Sequence, residues 1–136
     1  MTMTPTCTVI SSGAAGTASG AQGLTYAEGI SAQSAGARGL CMHMVRIPPG
    51  ARARAHLHAN HETAIHVLQG RAEMWFGEQL EHHCVTDPGD WLYIPAGMPH
   101  LPFNPGDTEV VGIVARTDAN QHESVTLLPE LDAIHA

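Results

Sequence analysis

Histidine is the residue type in this chain with the greatest potential for chemistry. The sequence contains ten histidines in 136 residues, seven of them between His56 and His100. A neutral imidazole binds transition metals, and its ordinary pKa lies close enough to neutrality for proton transfer. The first question is therefore which of these side chains can converge on one point.

His56 and His58 are the simplest candidates for such convergence. Residues i and i+2 of a β-strand point to the same face, so a strand here presents two imidazoles side by side. Glu62 follows four residues later and can join that face from the adjoining strand, and a rigid turn over residues 95–99 leads into His100. Three imidazoles and one carboxylate suit Mn, Fe, Co, Ni, Cu or Zn, whereas Mg and Ca prefer oxygen ligands.

Short strands are predicted for the part of the chain that must position these side chains. Runs of four to eight residues separated by glycine and proline turns are typical of a β-sandwich or barrel. The predicted strands are 39–47, 51–58, 62–68, 72–76, 82–86, 91–94 and 109–115. No amphipathic helical period competes in residues 40–116, and only the tail at 124–134, interrupted by Pro129, has a helical pattern.

These patterns predict a single all-β domain over residues 23–136 with a short C-terminal tail. Residues 1–22 are mostly Thr, Ser, Ala and Gly, which is typical of an N-terminal arm. We expect this arm either to be flexible or to add a strand to a sheet of this chain or of a partner chain.

The composition excludes several classes of function. The six basic residues are all arginine, so a Schiff-base lysine, a pyridoxal-phosphate anchor and a Walker-type lysine are excluded. The formal net charge of −7 argues against a nucleic-acid partner. No apolar run reaches the roughly 18–20 residues of a membrane span. The lack of a secretory signal pattern and the three scattered cysteines favour a cytoplasmic protein with free thiols.

Two segments of the chain resemble the two motifs of the cupin superfamily. The first contains Gly50, His56, His58, Glu62 and a closing Gly70, and the second contains Gly89, Pro95, Gly97, His100 and Asn104. The resemblance is to small single-domain members and implies a double-stranded β-helix (jelly-roll) barrel with core motifs at 50–70 and 89–104. It also implies a homodimer and one divalent transition metal (Fe, Mn, Ni, Zn, Co or Cu), with the ligands His56, His58, Glu62 and His100.

One position departs from the family pattern. In most members the ligand acid lies seven residues before the closing glycine, and Thr63 occupies that position here, one residue after Glu62. Glu62 therefore reaches the metal only if its strand has a bulge or a longer turn. The alternative is a site of three histidines. Similarly, His66 points inward if alternation is counted from Glu62 and outward if it is counted back from Gly70.

Two arginines are candidates for binding a substrate carboxylate. Arg52 and Arg54 share strand parity with His56, so on an unbroken strand they project into the barrel and can form bidentate pairs. The favoured alternative is an exposed pair near a strand end, because a buried arginine is costly without a partner.

Other residues near the motifs are candidates for lining the pocket or for proton transfer. Met98 and Phe103 flank the histidine of the second motif and are predicted to line the pocket. The candidates for acid–base catalysis are Tyr93, His61 and His66, and the favoured alternative for His61 is an exposed loop residue.

The resemblance implies a metal-dependent enzyme that acts on a small organic molecule. Related folds carry out oxygenation, decarboxylation, isomerisation and lyase reactions, so the fold does not choose among them. Open positions on a bound Fe or Mn favour a dioxygenase-like reaction, with isomerase or lyase chemistry as alternatives. A non-catalytic module that binds a small ligand or a metal is the competing hypothesis.

Overall fold

Short β-strands form almost all of the regular structure in this computed structural model, which describes residues 5–12, 17–19, 23–121 and 124–135. The strands are β1 Thr17–Ser19, β2 Thr25–Ile30, β3 Cys41–Ile47, β4 His56–Leu57, β5 Thr63–Gln69, β6 Ala72–Phe76, β7 His82–Thr86, β8 Trp91–Ile94, β9 His100–Phe103, β10 Val110–Arg116 and β11 Thr126–Leu127. Helical structure in the described residues is limited to the short helix α1, Ala32–Ala35, and a 3-10 turn, Pro129–Leu131.

The strands form two antiparallel sheets, here called sheet A and sheet B. Sheet A has the order β1-β2-β3-β10-β5-β8, and sheet B has the order β11-β4-β9-β6-β7. From β3 to β11 the chain crosses between the sheets at every connection except the hairpin between β6 and β7. This two-layer winding confirms the predicted all-β jelly-roll barrel.

Alternating burial along the strands explains why the two layers pack. In β3 the buried residues Cys41, His43, Val45 and Ile47 alternate with more exposed ones, as a half-buried strand requires. The cluster between the sheets contains Leu24, Val45, Ile47, Ala53, Val110 and Val114.

Gly70, which closes the first motif, is required by the turn between β5 and β6. Its φ is +77°, a left-handed conformation that side chains disfavour. A Cβ atom there would lie 2.7 Å from the carbonyl oxygen of Glu109. The close approach of β10 to this turn therefore excludes a side chain at position 70.

The C-terminal segment packs across the outer face of sheet B, the face that points away from sheet A. The backbone N–H of Leu128 donates to the carbonyl oxygen of Ala55 at 2.9 Å, and Asp132 Oδ1 accepts from the N–H of Ala55 at 2.7 Å. A second buried cluster forms beneath this segment, from Ala55, Leu80, Leu101 and Leu131. The predicted helical pattern at 124–134 yields only the 3-10 turn that Pro129 begins, because the preceding residues pair with sheet B as β11.

The N-terminal arm contributes one strand to its own chain. β1 pairs with β2, whereas residues 5–12 form no strand. Residues 1–4, 13–16 and 20–22 of the predicted arm lie outside the described residues. No helix in the described part of the chain is long and apolar enough to cross a membrane.

Candidate functional site

Three buried histidines converge in the space between the two sheets. His56 lies in β4, His100 begins β9, and the two are register partners across these strands. His58 follows one residue after β4. One candidate ligand nitrogen from each of the three lies within 4.8 Å of the other two. The ring centroids of His56 and His100 are 4.2 Å apart, and those of His58 and His100 are 5.3 Å apart.

Backbone carbonyl groups fix which nitrogen of each imidazole carries the proton. The Nδ1 atoms of His56, His58 and His100 lie 2.6, 2.7 and 2.8 Å from the carbonyl oxygens of Arg54, Ser124 and Met98, respectively. A carbonyl oxygen can only accept, so each Nδ1–H donates and Nε2 is the nitrogen that carries the lone pair. Histidine ligands of metals are oriented in this way, with the second nitrogen donating to a carbonyl or carboxylate.

The electrostatic environment keeps His100 neutral. Burial, with only 3 % of the residue exposed, lowers its pKa well below the usual value of 6.5. The neighbouring His56 lowers this pKa further, and the hydrogen bond to the carbonyl of Met98 opposes the shift. A neutral imidazole is the form that binds a metal.

Glu62 is not part of this cluster, which corrects the predicted four-residue ligand set. Its side chain is exposed, and its Oε1 accepts a hydrogen bond from the hydroxyl of Tyr93 at 2.6 Å. The physical reason is alternation, since the next residue, Thr63, is buried and lines the cavity beside the three histidines. The three-histidine alternative is the one that matches this geometry.

The same register places two of the acid–base candidates outside the barrel. His66 stacks on Trp91 with ring centroids 3.7 Å apart, so counting back from Gly70 gave its correct orientation. Tyr93 is exposed and is bonded to Glu62. Neither side chain lies in the cavity that the three histidines line.

His61 is buried, which corrects its interpretation as an exposed loop residue. Only 2 % of it is exposed, and its ring stacks on that of His58 with centroids 4.6 Å apart. Its Nδ1 lies 3.9 Å from a carboxylate oxygen of Asp118. His61 therefore supports His58 from the loop that joins β4 to β5.

Arg52 and Arg54 point away from the cavity, which matches the favoured alternative of an exposed pair and not the placement of these two side chains in a substrate pocket. Both are exposed, and Arg52 donates to the carbonyl oxygens of Asp132 and His135 at 2.8 Å each. The predicted strand 51–58 is regular only at β4, so the alternation changes phase. Ala53 packs in the cluster between the sheets and Ala55 in the outer cluster although the two share strand parity, so parity could not be extended from the histidines to the arginines.

Met98 and Phe103 have separate surroundings, neither of them the histidine cavity. Met98 lines a neighbouring groove with Met74 and Leu92 and supplies the carbonyl oxygen that orients His100. Phe103 packs against the outer cluster of sheet B, because β9 alternates and Phe103 faces opposite to His100.

A cavity of about 80 Å³ lies between the sheets, beside the histidines. Its lining combines the three imidazoles and Thr63 with apolar side chains of both sheets, such as Val45, Ile65 and Leu92 of sheet A and Met74 of sheet B. Three converging Nε2 lone pairs fit a metal that accepts nitrogen ligands, and they do not fit Mg or Ca. The residues present thus suit one transition metal next to a mainly apolar chamber.

Comparisons with known proteins are consistent with this arrangement. The family described as Cupin domain matches residues 43–115. An oxalate oxidase solved in complex with glycolate is 24% identical and superimposes with a TM-score of 0.67, covering 83% of this chain and 59% of that one. An oxalate decarboxylase is 22% identical with a TM-score of 0.66, covering 79% of this chain and 29% of that one.

A third similar structure has a different catalytic activity. The DMSP lyase DddQ from Ruegeria pomeroyi is 23% identical with a TM-score of 0.57, covering 67% of this chain and 44% of that one. At these identities the likeness is one of fold, and the chain spans less than two thirds of each of these proteins. No curated protein sequence matches the chain.

Proposed function

This chain belongs to the cupin domain family, and from that premise we propose that it binds one divalent transition metal through His56, His58 and His100. The observation that carries the proposal is the convergence of three buried imidazoles, each with its Nδ1–H donated to a backbone carbonyl. Such anchoring directs three lone pairs to one point and holds them there without a metal. Fe, Mn, Co, Ni, Cu and Zn all accept this donor set.

The proposed activity is that of an enzyme acting on a small organic molecule in the adjoining cavity. Three protein ligands leave one position open on a four-coordinate metal and three on a six-coordinate one. A bound metal would supply Lewis acidity or redox chemistry. The protein's part is to orient the imidazoles, to keep His100 neutral by burial, and to exclude bulk water with apolar walls.

A reaction in which the metal rather than a side chain does the chemistry is favoured within this proposal. Tyr93 and His66 face away from the cavity, and His61 is packed between His58 and Asp118. A dioxygenase-like reaction of bound Fe or Mn meets this condition best, with isomerase or lyase chemistry as alternatives. The same lack of a well-placed acid or base in the described cavity favours the second candidate, a non-catalytic cupin that binds a small ligand.

Elemental analysis of the full chain, purified without an affinity tag, tests the proposal. The expected result is close to one equivalent of a single transition metal per chain. A protein that neither carries such a metal nor takes one up during titration would overturn the proposal. Oxygen consumption by the metal-loaded protein is then measured with diketones, catechols and thiols. A dioxygenase consumes oxygen with one of these substrates, and a non-catalytic binder consumes no oxygen.

A further inference from the structure

Thr63 is a buried hydroxyl residue that the metal-binding proposal does not use. Only 5 % of the residue is exposed, and it lines the same cavity as the three histidines. Its Oγ1 has no hydrogen-bond partner among the described residues. Leaving a buried hydroxyl without a partner costs free energy, so native structures usually provide a partner from the protein or from a bound molecule.

The remainder of the cavity has a different chemical character from the end that holds the histidines. Its walls are mainly apolar side chains from both sheets, with Tyr26 and Thr86 also in the lining, and the lining residues among those described include no arginine. Glu73 belongs to the lining, but its carboxylate lies 2.7 Å from His83 Nε2 on the outer face of sheet B. The cavity therefore has the histidines at one end and an uncharged, mainly apolar body.

One buried arginine lies opposite Thr63 in sheet A, but its guanidinium group bonds to groups outside the cavity lining. Arg116 is the register partner of Thr63, and its Nη2 donates to Cys41 Sγ at 3.2 Å and to the carbonyl oxygen of Asn120 at 3.3 Å. It is not one of the cavity-lining residues. The described lining therefore contains no arginine that could place a positive charge in the body of the cavity.

We propose that Thr63 and the aliphatic walls select the ligand of this site: a small molecule with one oxygen-bearing head and an uncharged apolar body. The head binds at the metal and accepts a hydrogen bond from the Thr63 hydroxyl, and the body lies among the aliphatic walls. This inference rests on the proposed metal site, because the metal provides the charge that the head requires.

The size and polarity of the cavity set the limits of this ligand class. About 10–15 Å³ accommodates one water-sized group, so a cavity of about 80 Å³ holds a body of roughly five to eight such groups. A second carboxylate on the body would be buried among mainly apolar side chains without a positively charged partner in the described lining, which is strongly unfavourable. The ligand class therefore excludes small dicarboxylates.

A matched pair of carboxylates tests the exclusion. Butyrate and succinate have the same chain length and one carboxylate in common, and differ in a methyl or a carboxylate at the other end. The full chain loaded with cobalt(II) would be titrated with each, with the visible absorption of the metal as the readout. Butyrate is expected to bind at least about 100-fold more tightly than succinate. Equal affinities, or a preference for succinate, would overturn the inference.

Thr63→Val tests the hydroxyl with almost no change of shape. Butyrate affinity is expected to fall about tenfold, with cobalt(II) content unchanged, because Thr63 contacts the ligand and not the metal. Thr25→Val, which removes an exposed hydroxyl from β2, is the matched control and should leave the affinity unaltered. Unchanged butyrate affinity in a folded, loaded Thr63→Val protein would show that the hydroxyl does not bind the ligand.

Metal content in the same samples distinguishes the two proposals. A wild-type chain that loads cobalt(II) but does not discriminate between the carboxylates refutes only the ligand class. A wild-type chain that loads no cobalt(II) refutes the metal site, and the ligand class with it.

Discussion

The two faces of sheet B both carry histidines, but they use them differently. On the inner face, His56 and His100 donate from Nδ1 to backbone carbonyls, and their Nε2 atoms converge. On the outer face, His135 Nε2 lies 2.8 Å from the carbonyl oxygen of Leu80, and His83 Nε2 lies 2.7 Å from Glu73 Oε1. On the inner face Nε2 keeps its lone pair and points to a shared centre, as a metal site requires. On the outer face Nε2 is already engaged with a protein oxygen, so these histidines make structural contacts.

The two faces also differ in packing. The outer face is covered by the C-terminal segment, where the ring of His135 stacks on Trp75 at a centroid distance of 3.6 Å above buried leucines. The inner face adjoins a cavity of about 80 Å³. Both sides of the sheet therefore contribute packing energy, and the inner side also encloses a chamber beside the histidines.

Replacing one histidine of each face with alanine gives the largest expected difference in metal affinity. His100→Ala removes one of three ligands and should lower metal affinity by more than about a hundredfold, since losing only a partner of a ligand costs 10–100-fold. His83→Ala, on the outer face, should bind the metal as the wild type does. Metal titration followed by elemental analysis measures both. Equal loss in the two variants would show that the convergence of the inner histidines has no role in binding.

Replacing one leucine outside sheet B and one beside the cavity with alanine tests whether the outer cluster is the more closely packed of the two regions. Leu101 is buried in the outer cluster, and Leu101→Ala should lower the free energy of unfolding by about 2–5 kcal/mol. Leu92 lines the existing cavity, so Leu92→Ala adds less new void and should cost less than about 2 kcal/mol. Urea unfolding, analysed at equal m-values, provides both numbers. A larger loss at position 92 would contradict the assignment of close packing to the outer side.

Replacing Glu62 is expected to have the smallest effect of these changes, and it tests whether this side chain lies outside the barrel. Its hydrogen bond to the Tyr93 hydroxyl is the main cause that raises the pKa of Tyr93 above the usual 10.0, with weaker contributions from desolvation and from the carboxylate charge. Glu62→Ala should therefore lower the pKa of Tyr93 toward 10.0 and leave metal content unchanged. Ultraviolet titration of tyrosinate, with Tyr93→Phe to identify the curve, measures the shift.

A loss of metal in the Glu62→Ala protein would contradict the orientation seen here and would restore Glu62 as a ligand. An unchanged pKa of Tyr93 would instead show that the hydrogen bond between the two side chains is absent in solution.

Local spacing was sufficient to predict the three clustered histidines. The separation of His56 and His58 by one residue gives both the same face of a strand, and the turn at 95–99 delivers His100 to the neighbouring strand. Thr63 lies seven residues before Gly70, at the position of the ligand acid in most cupins, and this spacing agrees with the observed register of β5. Counting back from the fixed turn at Gly70 gave the outward orientation of His66 correctly, whereas counting from Glu62 did not. The same count from Gly70, extended to Thr63 and Glu62, agrees with the structure, although Glu62 was predicted to be a ligand.

Arguments from parity failed where the strand was not regular. Arg52 and Arg54 share odd–even phase with His56, but the chain changes phase between Ala53 and Ala55. Ala53 packs in the cluster between the sheets, whereas Ala55 packs in the outer cluster, where the C-terminal segment holds it at Leu128 and Asp132. Position 61 likewise has no local pattern that predicts burial. Contacts with residues far along the chain decide both cases.

The sequence by itself determined the all-β architecture, the cupin motifs and the histidine trio, because strand periodicity and turn residues act over a few positions. Only the tertiary structure decided which nitrogen His58 presents, since its acceptor is the carbonyl of Ser124, 66 residues away, whereas His56 and His100 have acceptors two residues back. It also decided that Thr63 rather than Glu62 faces the chamber, and that the arginines of the first motif lie outside it. These outcomes depend on how distant strands and the C-terminal segment pack against one another, and periodicity within one strand does not contain that information.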